Sequence, residues 1–132
     1  MRGLEANLLV RYITADDAEK TQRAKEIIER AEDNGERLYV NTIVLCELCW
    51  TLRGKQYQYD RPSIAAVIEL ILGAAVFEIQ NRDVVQRAMV DYRLGKADFS
   101  DYLVGYQNRA LGCEDTVTFD RKLRRQEGFN LI

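Results

Sequence analysis

The chain has 132 residues, of which 47% are hydrophobic and 30% are charged, and its formal net charge is −2. This length predicts one compact domain, residues 1–132, that buries about two-thirds of its unfolded surface. The slight negative charge excludes a generally basic surface for nucleic acid, but not a local basic patch. No apolar run approaches the roughly 18 residues of a membrane span, and no secretory segment precedes the first strand, so a cytoplasmic protein is expected.

The first half of the chain alternates short apolar stretches with helical patterns. A short strand leads into a helix over NLLVRYI, and a longer helix follows that ends at an asparagine–glycine pair. RLYVNT predicts a second strand, after which Asn41 or Thr42 caps the helix IVLCELCWTLRGK. Asp60 and Pro62 begin the next helix, and AAVFEI predicts the third strand. The apolar faces of the two longer helices comprise Ala24, Ile27, Ile28 and Ala31 in one, and Ile64, Val67, Ile68 and Ile71 in the other.

The second half continues the alternation. RDVVQRAMVDYRLG predicts a helix that ends at Gly95, and DFSDYLVGYQNRALG predicts a further helix. A strand over DTVTF, a short helix from Asp120 and a final strand over FNLI complete the chain. Strands that alternate with helices in this way predict an α/β fold, arranged as three layers (α/β/α) around a central, mostly parallel sheet.

Acidic residues recur where such a fold binds ligands, beyond the carboxyl ends of its parallel strands. Glu5 ends the first strand and Asp120 follows VTF, while Asp98 and Asp101 lie three apart on the first turn of one helix. Glu47 lies one turn into the helix after the second strand, in an otherwise apolar row. These five acids are therefore expected to converge at one end of the sheet.

Each of these acids also has a simpler explanation. Helix caps and the helix dipole favour acids at helix starts, which alone explains Asp98, Asp101 and Asp120. Glu47 either points to solvent or meets a cation, because a carboxylate buried without a partner costs several kcal/mol. With no histidine in the chain, the combined set suits an oxygen-loving cation, Mg²⁺ or Mn²⁺, better than zinc.

The three cysteines invite a redox or zinc interpretation, because Cys46 and Cys49 form a CxxC spacing. No histidine and no second cysteine pair accompany them, and the spacing falls inside an apolar helical pattern. Ordinary buried thiols of a cytosolic protein are therefore the favoured interpretation.

Four segments together resemble the PIN-domain ribonucleases, most closely the toxin subunits of VapBC-type toxin–antitoxin pairs. These segments are LEANLLVRY, NTIVLCEL, ADFSDYLVGY and TVTFDRKL, and they span the chain end to end. The resemblance implies a single PIN-like domain over residues 1–132 and a metal-dependent endoribonuclease. It further implies a small antitoxin partner that covers the active-site groove, and a homodimer.

The resemblance also implies roles for individual residues. Glu5, Glu47, Asp101 and Asp120 fall on the family's acidic quartet and are the implied catalytic residues. The implied metal ligands are Glu5, Asp101, Asp120 and the flanking Asp98. Asn7 and Thr118 are assigned supporting roles. The basic residues expected around the site for RNA are Arg11, Lys122, Arg124 and Arg125, although a solvated terminal helix explains the last three as well.

The opening stretch departs from the family pattern. Glu5-Ala6-Asn7 stands where the family usually has aspartate–threonine–asparagine, so the first acid reaches one methylene further and a hydroxyl is lost. Because Mg²⁺ requires near-octahedral geometry, this change predicts a site that is weakened, selective for Mn²⁺ or inactive. In the inactive case the protein acts through binding of RNA or antitoxin.

Two further alternatives concern surfaces and fold. Tyr12, Trp50, Tyr57 and Tyr59 are expected to form an apolar groove for the antitoxin, although core packing also explains Trp50. The Ile64–Ile71 face serves either a dimer interface or the core.

A phosphoacceptor receiver domain has similar length and alternation. It is disfavoured because only one acid follows the first strand and the third strand offers no clear acceptor aspartate.

Overall fold

The structure, a computed structural model, describes residues 1–132 and divides them into two compact units, Met1–Gln80 and Asn81–Ile132. Each unit has its own sheet. The three strands of the first unit lie in the order β1-β2-β3, and the second unit contains the pair β4-β5. The elements of the first unit are β1 (Arg2–Gly3), α1 (Ala6–Thr14), α2 (Ala18–Asp33), β2 (Leu38–Val40), α3 (Thr42–Arg53), α4 (Arg61–Gly73) and β3 (Phe77–Ile79).

The sheet of the first unit is parallel throughout. Arg2 pairs with Leu38 between β1 and β2, and Leu38 pairs with Phe77 between β2 and β3. Leu38 and Val40 of the central strand are fully buried, as expected for a parallel strand that is covered on both faces. All strand pairs of the protein are parallel, which confirms the predicted α/β class.

Predicted caps begin two helices of the first unit. The side chain of Asn41 accepts a hydrogen bond from the Val44 N–H, and that of Asp60 accepts one from the Ser63 N–H, each at 2.9 Å. Of the two cap candidates for α3, Asn41 is therefore the cap. Ile64, Ile68 and Ile71 of α4 are buried, so this face belongs to the core rather than to an interface.

The second unit comprises α5 (Arg82–Leu94), α6 (Phe99–Ala110), β4 (Thr116–Thr118), a 3₁₀ turn (Arg121–Leu123) and β5 (Phe129–Leu131). Its helices are joined by a tight connection at Gly95, where a Cβ atom would lie 1.8 Å from the Tyr102 hydroxyl oxygen. That hydroxyl accepts a hydrogen bond from the Ala97 N–H at 3.3 Å, and the Tyr92 and Phe99 rings meet edge to face. These contacts fix the start of α6.

No helix combines the length and the apolar character that a membrane span requires. The prediction of one domain over residues 1–132 stays a prediction.

Candidate active site

Glu5 stands at the junction of β1 and α1, with the extended backbone of an N-cap residue (φ −98°, ψ 155°). Its side chain accepts no capping hydrogen bond from α1. Instead, Asn7 Nδ2 donates to Glu5 Oε1 at 3.2 Å, which orients the carboxylate and leaves Oε2 without a hydrogen bond. Helix capping therefore does not explain this acid.

Glu47 is exposed on α3. It shares its helix face with Ile43 and Trp50, which are 68% and 48% exposed. The desolvation cost of a buried carboxylate therefore does not arise, and core packing is the wrong explanation for Trp50. The sequence contained this signal: positions 43, 47 and 50 have the spacing i, i+4, i+7, opposite the buried Leu45, Leu48 and Leu52.

Asp98 and Asp101 begin α6 as a capping box. Asp101 Oδ2 accepts a hydrogen bond from the Asp98 N–H at 3.0 Å, while Asp101 Oδ1 makes none. Helix capping therefore explains the presence of these two acids, but the capping hydrogen bond uses only one oxygen of Asp101.

Asp120 follows β4 and caps the 3₁₀ turn. Its Oδ1 accepts a hydrogen bond from the Lys122 N–H at 2.9 Å, which leaves Oδ2 without a hydrogen bond. Its own N–H donates to Thr118 Oγ1 at 3.0 Å. Thr118 and the turn together fix the backbone that carries the carboxylate, and buried Leu123 anchors the turn.

The acids of the second unit interact electrostatically. Partial burial raises the pKa of Asp101, and the charges of Asp98 and Asp120 raise it further. The Asp98 N–H and the Lys122 ammonium group lower that pKa in part. Asp98, Asp120 and Lys122 are thus all within electrostatic range of Asp101.

Three of the predicted acids each have the donor chemistry of a ligand for a hard divalent cation. Glu5, Asp101 and Asp120 each have one carboxylate oxygen held by a local hydrogen bond and a second oxygen that makes none. Oxygen donors of this kind are the ligands that Mg²⁺ and Mn²⁺ prefer. Within neither unit do three or more acidic, histidine or cysteine side chains stand close enough to hold a metal as placed.

The predicted basic residues differ in their surroundings. Arg11 Nη1 donates to both carboxylate oxygens of Asp16, at 3.0 Å to Oδ1 and 2.8 Å to Oδ2. This ion pair raises the pKa of the Arg11 guanidinium. Lys122, Arg124 and Arg125 are exposed on or beside the 3₁₀ turn.

Sequence reasoning missed Asp16 as the centre of a hydrogen-bond network in the first unit. Besides Arg11, it accepts hydrogen bonds from the Tyr57 hydroxyl at 2.6 Å and from Thr14 Oγ1 at 3.0 Å. Tyr57, assigned from sequence to an antitoxin groove, is thus held to the end of α1, while Tyr12 and Tyr59 are half-buried. The 41-residue separation of Tyr57 and Asp16 left no local sequence signal.

The cysteines are free thiols. Cys49 is buried and Cys46 is half-buried, and burial together with the charge of Glu47 raises the pKa of Cys46 to about 11. Cys113, which lies outside the CxxC pair, is exposed.

Together, the parallel strands and the helices that alternate with them define a protein of the α/β class. The family profile of the PIN domain matches residues 4–128, and the chain therefore belongs to the PIN-domain family. A VapC ribonuclease of Aquifex aeolicus (strain VF5) is 25% identical to it over 132 residues, which cover 100% of this chain and 96% of that protein. The predicted resemblance is confirmed.

Proposed function

We propose that this protein is a metal-dependent endoribonuclease, the toxin of a toxin–antitoxin pair. The observation that carries the proposal is the part-buried Asp101, on which the charges of Asp98, Asp120 and Lys122 all act. Membership of the PIN-domain family and similarity to a VapC ribonuclease along the whole chain support it.

In the proposed site, Glu5, Asp98, Asp101 and Asp120 hold Mg²⁺ or Mn²⁺, and Glu47 either joins them or positions the attacking water. When bound, the divalent ion supplies charge neutralisation at the phosphate and a lowered pKa for water. The absence of histidine is consistent with this chemistry, because no imidazole base is then required.

The chain's own groups prepare that chemistry. One carboxylate oxygen each of Glu5, Asp101 and Asp120 accepts a hydrogen bond, from Asn7, the Asp98 N–H and the Lys122 N–H respectively. These bonds fix the orientation of each carboxylate, so its second oxygen need not lose further rotational freedom when it binds a ligand. Thr118 fixes the backbone of Asp120. The negative charges of the carboxylates repel the phosphates of RNA, so a divalent cation would have to bind before RNA approaches.

The partners follow from the same proposal. RNA is the substrate, a small antitoxin protein is the inhibitor, and the toxin acts in the cytoplasm as a homodimer. Lys122, Arg124 and Arg125 are the proposed RNA contacts next to Asp120, since all three are exposed.

A second candidate is a PIN domain with weakened or no catalysis that acts by binding RNA or antitoxin. Glu5-Ala6 favours it, because the glutamate is longer than the family's usual aspartate and Ala6 is buried without a hydroxyl. A shift of about 1 Å in a catalytic group is enough to lower a rate on the order of a hundredfold.

One experiment separates the two candidates. Cleavage of an unstructured fluorogenic RNA is measured with Mg²⁺, with Mn²⁺ and with EDTA, using the wild type, Asp120→Asn and Glu5→Asp. Cleavage by the wild type that requires metal and disappears in Asp120→Asn supports the ribonuclease. A silent wild type with an active Glu5→Asp supports the weakened enzyme, and silence of both under every metal refutes catalysis on this substrate.

A further inference from the structure

Two cavities adjoin between α1 and α2 in the first unit. Each has a volume of about 300 Å³, and they share Asn7, Leu8 and Ile27 in their walls. One reaches Glu5 and the other reaches Lys20 and Arg23. They form one groove, here called the α1–α2 groove, that begins at the first acid of the proposed site and runs along α2.

The α1–α2 groove has an apolar floor and a basic rim. Leu8, Ala24 and Ile27 contribute to the floor, whereas Lys20 and Arg23 are exposed at the rim. Positions 20, 23, 24 and 27 follow helical spacing, so one face of α2 supplies both the charge and the floor. Arg2 adds an exposed cation at the end that contains Glu5.

The cations of the groove differ in whether a carboxylate neutralises them. Arg11 is bound to Asp16, whereas Arg2, Lys20 and Arg23 form no ion pair. Glu5 is the only acid among the lining residues. On a chain with a formal net charge of −2, this is a local excess of positive charge that leads to a proposed catalytic acid.

We propose that the α1–α2 groove holds the phosphate backbone of single-stranded RNA on its way to or from the cleavage site, with Arg2, Lys20 and Arg23 as the phosphate contacts. The proposal rests on the proposed ribonuclease function and adds residues to it. Arg11 is a positioning residue that fixes the end of α1 through Asp16.

The chemistry of the groove favours RNA over a protein segment. A strand that is cut at Glu5 must continue past it, and a positively charged groove that starts there can follow its backbone. The lining has no aromatic side chain for base stacking, so binding depends on charge, tolerates any base sequence and weakens with salt.

The test compares two double variants of the full-length chain, both in an Asp120→Asn background so that the RNA stays intact. Lys20→Gln/Arg23→Gln removes two charges from the groove. Lys25→Gln/Arg30→Gln removes two exposed charges from the same helix outside the groove and serves as the matched control. Fluorescence anisotropy with a labelled single-stranded RNA in Mg²⁺ gives the affinity, and thermal unfolding verifies that each variant is folded.

We expect the groove variant to bind at least about tenfold more weakly at low salt, and the control to bind within about twofold of its parent. The slope of log K against log salt should fall by about 1.4 in the groove variant alone, which corresponds to two phosphate contacts on a single strand. Equal affinities and equal slopes in the two double variants would overturn the proposal and leave the groove to a protein partner.

Cleavage assays keep this result separate from the proposed function. If the protein with native Asp120 cuts RNA while the two double variants bind alike, the nuclease stands and the groove proposal fails. If no metal supports cleavage but the groove variant alone loses affinity, the groove is an RNA track in a protein without nuclease activity.

Discussion

The acids of the two units are held in different ways. In the second unit, Asp98 and Asp101 form a capping box and Asp120 caps the 3₁₀ turn, so each also has a role in folding. Glu5 of the first unit occupies the N-cap position of α1 but caps nothing, and its carboxylate is oriented by Asn7 instead. The second unit would contain acids even without a site, whereas helix capping does not explain Glu5.

A second difference is the electrostatic environment. Asp101 is partly buried beside two other acids, and its pKa is raised. Glu5 is exposed. Substitutions in the second unit are therefore expected to change activity and stability together, while substitutions at Glu5 change activity alone.

The largest effect is expected from Asp101→Asn. Cleavage should fall on the order of a hundredfold or more, because even groups that only support metal ligands contribute about 10–100-fold. The melting temperature in EDTA at pH 7 should rise. Burial and neighbouring acids raise the pKa of Asp101, so its ionised form destabilises the fold above that pKa, and the amide removes this repulsion. Kinetics measure the cleavage rate and thermal unfolding measures the melting temperature, with the exposed Asp115→Asn as control. A fall in both the cleavage rate and the melting temperature of Asp101→Asn would contradict the expectation.

Glu5→Gln is expected to lower cleavage by about tenfold or more and to leave stability unchanged within about 0.5 kcal/mol, because this side chain caps no helix. The exposed Glu29→Gln is the matched control. A loss of stability in Glu5→Gln alone would show that the acid is structural and would remove the contrast with the second unit.

Gly95→Ala tests whether helix packing supports the acids of α6. Because the new Cβ atom would meet the Tyr102 hydroxyl and lie 2.9 Å from the Asp91 carbonyl oxygen, we expect a loss of about 1–3 kcal/mol in unfolding free energy. Gly73→Ala, with nothing within 4 Å of its Cβ, should instead stabilise α4 by about 0.5–1 kcal/mol. Urea unfolding distinguishes them, and equal effects would contradict this account.

The smallest effect is expected from Asp16→Asn and appears only in acid. Hydrogen bonds from Tyr57 and Arg11 lower the pKa of Asp16 from 3.8 to about 2. Its contribution to stability is therefore present above about pH 4 and is lost as the pH falls towards about 2. The melting temperature of the variant should depend less on pH in this window than that of the wild type, and parallel curves would contradict the assignment.

Much of this structure could be predicted from local patterns. Apolar periodicity located α2, α4 and α5, and side-chain chemistry located the caps Asn41 and Asp60. The position of Glu5 after β1 followed from the order of the elements. The outward direction of Glu47 was readable from its spacing to Ile43 and Trp50, although its apolar neighbours in sequence obscured it.

Other features depend on contacts that no local pattern encodes. The division of the strands into two sheets could not be predicted, because strands of two or three residues have no usable periodicity. The ion pair between Arg11 and Asp16 depends on side-chain conformation, and the Tyr57 contact joins distant segments. The charge balance of the α1–α2 groove likewise required knowledge of which cations were already paired.

The unequal surroundings of the three cysteines have a practical consequence. Thiol reagents attack the thiolate, which Cys46, with a pKa of about 11, scarcely forms at neutral pH, and Cys49 is buried. A maleimide dye should therefore attach to Cys113, in the segment between α6 and β4, without removal of any native cysteine. The unmodified sequence thus supplies a single-site optical reporter that only β4 separates from Asp120 along the chain.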